Sequence, residues 1–489
     1  MTNPFFEPSP LPFGMPPFAS ILDEHYRPAF EKGMADQLAE IHSITLQRDT
    51  PTFEATMIPL EKSGQLLERV ATVFFNKTSA DGNDVTSALE EELAPILAAH
   101  ADAIRLDAQL YRQITALFEQ LDDLGLDAES RYLVERYFAE YTIAGAGLND
   151  AEKEALRDLN QRLSTLNTRF EKNLLADTNN LAVVLDDVAD LDGLEAGEIS
   201  AAAEAAAERG LMGRYLITLI LPTGQPVLAA LTNRRVRARV MEASRSRGNR
   251  GGQWDNSQLV LDITRLRAER AALLGFDSHA AWVIADETAK TPTAVATMLT
   301  RLAAPAARNA LAEQADLETL AGHPIAAHDW AFYSEKVREA TYDVDTAQMR
   351  PYFEAERVLR DGVFFAATKL YGVTFAERRD IPAYHPDVRV FEVTDEDGTA
   401  VGLYTIDLYT RDSKRGGAWM NSLISQSTLL GHPVIVTNNL NVPKPAAGQD
   451  AGAVTLFQAV VTPLAEPDRP LIHPPQARLP ARIFSRAAR

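Results

Sequence analysis

One passage of this chain repeats apolar residues in strides of two, where almost everything else repeats them in strides of three and four. Residues 388–393 and 401–408 are short apolar alternations on either side of Asp395-Glu396-Asp397-Gly398. That is the pattern of two strands joined by a tight turn. A period-two segment cannot bury one face as a helix, so this passage calls for a sheet inside an otherwise helical chain. A further strand is expected over 432–440. Between them a basic cluster, Arg411, Lys414 and Arg415, leads into Gly416-Gly417-Ala418-Trp419. Adjacent glycines inside a strand weaken it and mark a bulge, or a place where another backbone comes close. Residues 415–419 are therefore read as a bulged edge strand. Its glycines serve sheet curvature alone or leave room for a bound peptide, and the residues do not choose between these.

The remainder reads as helices with identifiable starts and stops. Asn149 followed by Glu152 is a capping box. It opens a helix whose apolar positions Leu156, Leu159, Leu163, Leu166, Phe170 and Leu174 form one narrow stripe, so a long antiparallel helical partner is expected. Thr291-Pro292 pairs a cap with a proline at the first helical position, ahead of Val295, Met298, Leu299 and Leu302 on one face. Pro351 suggests the same device for a helix through Val358, Leu359, Val363 and Leu370 that ends at Gly372. Glycines 210 and 275 close two others. Residues 214–231 read as two short strands joined by Pro222-Thr223-Gly224. The prolines at 4, 8, 10 and 12 suggest an arm strapped over the helical body.

Bulk properties narrow the function classes. Apolar residues make up 46% and charged residues 24% of 489 residues, and the net charge is −20. A field of that sign repels nucleic acid and anionic membranes, so neither is expected as a partner. Without cysteine, thiolate chemistry and disulfides are excluded. The longest apolar run, 215–221, falls far short of the ~20 residues that span a bilayer. The early prolines also break any leader pattern, so a cytoplasmic protein is expected.

Several stretches resemble the thimet-oligopeptidase-type (M3) zinc metallopeptidases, and among them the bacterial peptidyl-dipeptidase branch. They are MRPYFEAERVLRDGVFFAATKLYGVTF (349–375), YHPDVRVFEVTDEDG (384–398), DLYTRDSKRGGAWMNSL (407–423) and NNLNVPKPAAG (438–448). RLRAERAALLGFDSHAAW (265–282) and the opening 3–34 look like the same family. The likeness is expected to run from residue 3 to about 448. It implies a mainly α, multi-helical zincin-like fold with a small antiparallel sheet. Three regions follow from it: a helical region 1–210, a helical and β-sheet region 211–448 leading into an incomplete catalytic lobe, and an aberrant Pro/Ala/Arg-rich tail 449–489.

The resemblance implies zinc-dependent hydrolysis of short peptides by a monomer, with the metal held by a His-Glu-x-x-His helix. Two imidazoles one helical turn apart are needed so that both reach one Zn²⁺. The histidines here are 25, 42, 100, 279, 323, 328, 385, 432 and 473, and no two are four apart. His323 and His328 are separated by five and by Pro324, and are expected at the start of a helix near Trp330. The prolines at 463, 467, 470, 474, 475 and 480 forbid a long helix in the tail, whose change of character suggests a shifted reading frame or an early end. No bound zinc, no catalytic residue and no turnover are therefore expected. In such enzymes the strand ahead of the metal helix lends its edge to the substrate backbone. That makes Arg415, Gly416, Gly417, Ala418 and Trp419 the expected peptide-holding residues. The alternatives are a metal-free peptide-binding or scaffold protein, or a fragment that does not fold fully because the helices lining the missing cleft leave apolar surface exposed. No phosphate-binding glycine loop, no Gly-x-Ser-x-Gly elbow and no calcium loop occurs.

Overall fold

The computed structural model describes residues 3–219, 225–342, 352, 354–442 and 444. Pro351, the Pro222-Thr223-Gly224 turn, His473 and the tail 449–489 lie outside the described residues.

The proline-rich start folds into three 3₁₀ turns, Pro12–Gly14, Phe18–Ser20 and Asp23–His25. It straps two bodies together. Phe5 is buried with Tyr26, Phe30, Leu67, Val70 and Phe74 of the first helices, and Arg69 Nε donates to its carbonyl at 3.0 Å. Ten residues on, Met15 is buried among Val390, Leu403, Leu423 and Ile435 of the distant sheet.

Helices α1 (Tyr26–Thr45), α2 (Ile58–Lys62), α3 (Gln65–Ala80), α4 (Asp84–Arg105), α5 (Ala108–Glu119), α6 (Ala128–Ala144) and α7 (Asp150–Asn180) follow. The capping box of α7 forms as expected. Asn149 Oδ1 accepts from the Glu152 amide at 3.0 Å, and Glu152 Oε2 accepts from the Asn149 amide at 3.0 Å. As α7 ascends, its partners on α4 descend. Lys153 Nζ donates to Leu106 O, Asn160 Nδ2 to Asp102, Ser164 Oγ to Ala94 O and Lys172 Nζ to Glu91. The two are therefore antiparallel. The leucine stripe itself (Leu159, Leu163, with Leu166 and Phe170) packs on Leu259, Ile263 and Leu266. Those residues belong to a later helix.

Strand β1 (Val183–Leu185), α8 (Ala196–Glu208), β2 (Tyr215–Ile217), α9 (Arg234–Arg245), α10 (Ser257–Leu273), α11 (His279–Ile284), α12 (Pro292–Ala321) and α13 (Ala327–Tyr342) come next. Of the two strands expected in 214–231, only the first forms; it pairs antiparallel with β1 rather than with its neighbour. The second is a 3₁₀ turn, Pro226–Ala229, because proline at its start supplies no amide to a ladder and presets a helical φ. It turns Leu228 into a core with Val183, Leu185, Leu191, Val236 and Val240. The Thr291-Pro292 start of α12 is confirmed, with Thr291 Oγ1 accepting from the Ala294 amide at 3.2 Å. Helix α14 (Ala355–Arg357) passes through a π-helical turn, Val358–Phe364, into α15 (Phe365–Tyr371). Its cap is Glu354, which accepts from the amides of Glu356 and Arg357 at 2.8 Å. Gly372 ends α15 as expected.

The second sheet has the order β3-β4-β5-β7-β6, with β3 Thr374–Glu377, β4 Arg389–Thr394, β5 Ala400–Tyr409, β6 Trp419–Ile424 and β7 Val434–Val442. The hairpin β4–β5 closes around residues 395–398 as read. The sheet is mixed: β5 and β7 run parallel, while the other pairs are antiparallel. The chain leaves β5 for the outer edge as β6 and returns between them as β7. At the Gly402↔Val434 register, a Cβ on Gly402 would lie 2.2 Å from the Val434 carbonyl oxygen. Only glycine allows that approach. One face carries Phe391, Ile406, Leu408, Leu440 and Val442 against Val358, Leu359, Val363 and Phe364. The mainly α architecture with small sheets is the one expected. Among the described residues no helix is long and apolar enough to cross a membrane.

Candidate functional site

Strand alternation puts Leu403, Thr405 and Asp407 on one face of β5, and Ile435, Thr437, Asn439 and Asn441 on the same side of β7. This face begins apolar, beneath Met15, and turns polar toward its far end. Thr405 and Thr437 share a hydrogen bond of 2.7 Å. Asp407 is fully buried. Its carboxylate takes Arg411 Nη1 at 2.9 Å, Lys414 Nζ at 2.9 Å and the Tyr384 hydroxyl at 2.7 Å. Burial pushes the Asp407 carboxyl up, but the Arg411 hydrogen bond and the charges of Lys414 and Arg411 outweigh it and hold it below the usual range. Burial brings the Lys414 ammonium down to about 8, against the pull of Asp407. Lys414 Nζ also donates to the carbonyls of Asp407 and Tyr409, each at 3.0 Å. Every described proton of this ammonium is thus spoken for.

The loop 411–418 is pinned from several sides. Gly82 N donates to Ser413 O at 3.0 Å, Asn179 Nδ2 to Asp412 O at 3.0 Å, and Arg209 bridges to Asp412 at 2.6 Å. Arg415 N donates to Ser79 O at 2.9 Å, and its guanidinium pairs with Glu171 at 2.6 Å and Glu90 at 3.4 Å. The basic cluster noted in the sequence is therefore neutralised within the fold. Arg415, expected to hold peptide, points back to α4 and α7.

Gly416 and Gly417 were expected inside a bulged strand, and the structure corrects this. Both lie in the bend before β6, and the strand begins only at Trp419. Asn441 Nδ2 forces the bend by donating to Arg415 O at 2.8 Å and Gly417 O at 2.7 Å. Gly417 takes φ +95°, with nothing within 4 Å of where a Cβ would be. Backbone conformation, rather than crowding, demands the glycine. The bulge itself falls later, between Ser422 and Ile424. Strand β6 is an outer strand of the sheet, as expected. Asn421 ties it to the helices, donating to Asn76 Oδ1 of α3 and accepting from Asn439 Nδ2, each at 3.3 Å. Gly416 and Ala418 are exposed and Trp419 is half-buried at the start of this edge. Sequence reasoning missed Asp407, Asn439, Asn441 and Tyr384. The polar alternation Asn439-x-Asn441 beside an aspartate four residues before Arg411 was the available signal.

The profile of Peptidase family M3 matches residues 227–458, past residue 448 where the likeness was expected to stop. The dipeptidyl carboxypeptidase of Escherichia coli (strain K12) is 42% identical over 466 residues, covering 94% of this chain and 68% of that protein. The chain belongs to peptidase family M3. Oligopeptidase A of the same organism is 31% identical over 474 residues, covering 94% of this chain and 69% of that protein. An organellar oligopeptidase A of Arabidopsis thaliana is 29% identical over 437 residues, 86% of this chain and 54% of that protein.

Membership in an M3 peptidase family implies zinc, and the described residues do not fit it. No three His, Cys, Asp or Glu side chains gather into a metal-holding group among them. His323 sits before α13, its Nδ1 2.8 Å from Pro324 O and its Nε2 3.3 Å from the Tyr333 hydroxyl. His328 stands in the first turn of α13, 3.6 Å from Asp329. Asp329 is in turn committed to Arg234 and Arg237 at 2.7 and 2.9 Å. His100 is buried against Gln37 at 2.7 Å. These histidines serve local packing and hydrogen bonding.

Proposed function

We propose that this chain holds short peptides along the edge of β6 and, as it stands, does not hydrolyse them. Peptide hydrolysis is the chemistry of the family to which it belongs. The observation that supports the reading is a pre-organised edge strand, Trp419–Ile424, fixed by Asn421 and Asn441, with the open Gly416-Gly417-Ala418 bend at its start. A peptide laid against such an edge gains main-chain hydrogen bonds without needing a metal. Of the expected contact residues, Trp419, Ala418 and the two glycines lie where a bound backbone would pass. Arg415 contributes by fixing the loop through Glu90 and Glu171. The cleavage step lacks its metal set, because the full sequence contains no two histidines four residues apart. On this reading the helical region 1–210 is a platform and the region 211–448 carries the peptide-holding sheet. The protein acts as a cytoplasmic monomer.

Short peptides titrated into the purified chain should change Trp419 fluorescence saturably, and Trp419→Phe should abolish the change. The same chain incubated with zinc should take up no stoichiometric metal and release no dipeptides. Chelator-sensitive dipeptide release would overturn the silent part of the reading. Absence of any saturable peptide signal would overturn the holding part.

A further inference from the structure

Away from the sheet, α4, α7, α10 and α11 meet around a guanidinium whose charge the fold leaves only partly answered. Arg270 of α10 is 7% exposed. Its Nη1 donates to Asn160 Oδ1 at 3.3 Å, and its Cζ lies 4.3 Å from the Trp282 ring centroid. Its Nε and Nη2 are buried and have no hydrogen-bond partner among the described residues. Those two N–H groups form the side edge of the guanidinium, the fork that takes a planar oxyanion through two parallel bonds. His279 of α11 stacks on the same indole at 5.6 Å, and its Nδ1 is likewise buried and unpartnered. The indole is itself fixed, since Trp282 Nε1 donates to Ile143 O at 3.1 Å.

The local charge has the matching sign. Arg267 adds its field to both Arg270 and His279. Asp102 is the carboxylate that acts on Arg270, and both its oxygens already accept from Asn160 Nδ2, at 2.9 and 3.1 Å. Burial brings Arg270 down to about 10, with Arg267 adding to the fall and Asp102 opposing it. Leaving a buried donor unmade is unfavourable, more so when it is charged, so two such donors on one cation call for an acceptor. His279 and Trp282, on the outer side of Arg270, are half-buried.

We propose that the Nε/Nη2 edge of Arg270, with His279 Nδ1 beside it, is the donor set of a small-oxyanion site at the junction of α7, α10 and α11. Its ligand is a carboxylate or a phosphate, gripped by the fork on Arg270 and covered by the Trp282 ring. This site is independent of the β6 edge and of any metal.

The test uses the full chain in sodium chloride, sodium acetate and sodium phosphate at equal ionic strength. Acetate or phosphate should raise the unfolding midpoint saturably above chloride, and titration calorimetry with the same salt should show one site. A response to acetate alone names a carboxylate; one to phosphate alone names a phosphate. Arg270→Lys keeps the charge and removes the fork, so it should lose the increment and weaken binding by about tenfold or more. Should that variant fail to fold, His279→Ala supplies the same comparison with a smaller loss. Equal midpoints in all three salts, with no heat of binding, would mean that ordered water alone satisfies these donors and would overturn the site. So would an increment that survives both substitutions.

Discussion

Helices α7 and α12 are nearly equal in length, 31 and 30 residues, and each opens on a well-formed side-chain cap. Their fates differ. Helix α7 buries Leu156, Leu159 and Leu163, packs on α10, and is bonded to α4 at three levels and to its C-cap Leu106 at a fourth. Helix α12 buries only Leu317, and Met298, Leu299 and Leu302 stand 47%, 55% and 53% exposed. An apolar stripe and a cap thus specify that a segment is helical without specifying that anything covers it. Local signals decide the first; the supply of a facing surface decides the second.

The sharpest test of this contrast truncates one leucine in each helix. Leu163, 2% exposed in α7, should cost about 2–5 kcal/mol when replaced by alanine, because the removed methyl groups leave a cavity. Leu299→Ala in α12 should change the unfolding free energy from denaturant titration by at most about 0.5 kcal/mol. Comparable losses at both sites would show that α12 is covered in solution and would erase the difference between the helices.

A second test uses pH, because α4 carries two buried titrating groups of opposite sign, Asp102 against Asn160 of α7 and His100 against Gln37 of α1. Burial pushes the Asp102 carboxyl up to about 6, against the Asn160 hydrogen bond and neighbouring arginines. Its folded form holds the proton more tightly than the unfolded chain. That stabilisation is full below about pH 4 and is lost as pH rises through about 6. Burial takes the His100 imidazole down to about 4. Its stabilisation is full above about pH 6.5 and is lost as pH falls toward about 4. Each contributes on the order of 1–3 kcal/mol, so in the native chain the slopes oppose each other across the overlap. In chloride buffer, Asp102→Asn should uncover a steeper loss toward acid, and His100→Gln a steeper loss toward neutral pH. Parallel stability curves for the two variants would contradict the assignment.

The elements were legible wherever a signal is local. Caps at Asn149 and Thr291, the stop at Gly372 and the turn at 395–398 all depend on residues a few positions apart. What was not legible depends on distant partners. Nothing near β7 announces that it inserts between β5 and β6, or that this requires glycine at 402. The candidate site shows the same division. The glycine pair and the edge strand could be found, but glycines alone do not say whether they lie in a strand or before it. That depends on Asn441, 24 residues further on. Nor did the basic cluster show that Asp407, Glu90 and Glu171 would consume its charges.

The smallest expected effect separates cap from packing most cleanly. Asn149 and Thr291 perform the same task, each accepting the amide three residues on, at 3.0 and 3.2 Å. Removing either acceptor leaves a helix-end amide unanswered, worth about 1 kcal/mol to the helix concerned. The first turn of α7 cannot fray without loosening Leu156 and the Lys153 bond to Leu106 O, so Asn149→Ala should lower the global unfolding free energy by that amount. The first turn of α12 has no buried residue to hold it. Thr291→Ala should therefore leave global unfolding within about 0.3 kcal/mol of the native chain while speeding hydrogen exchange in that turn. The cap energy is the same in both helices; whether it reaches the global transition depends on whether the capped turn is tied to the core. An equal global shift from both substitutions would show that α12 unfolds with the body of the protein and not ahead of it.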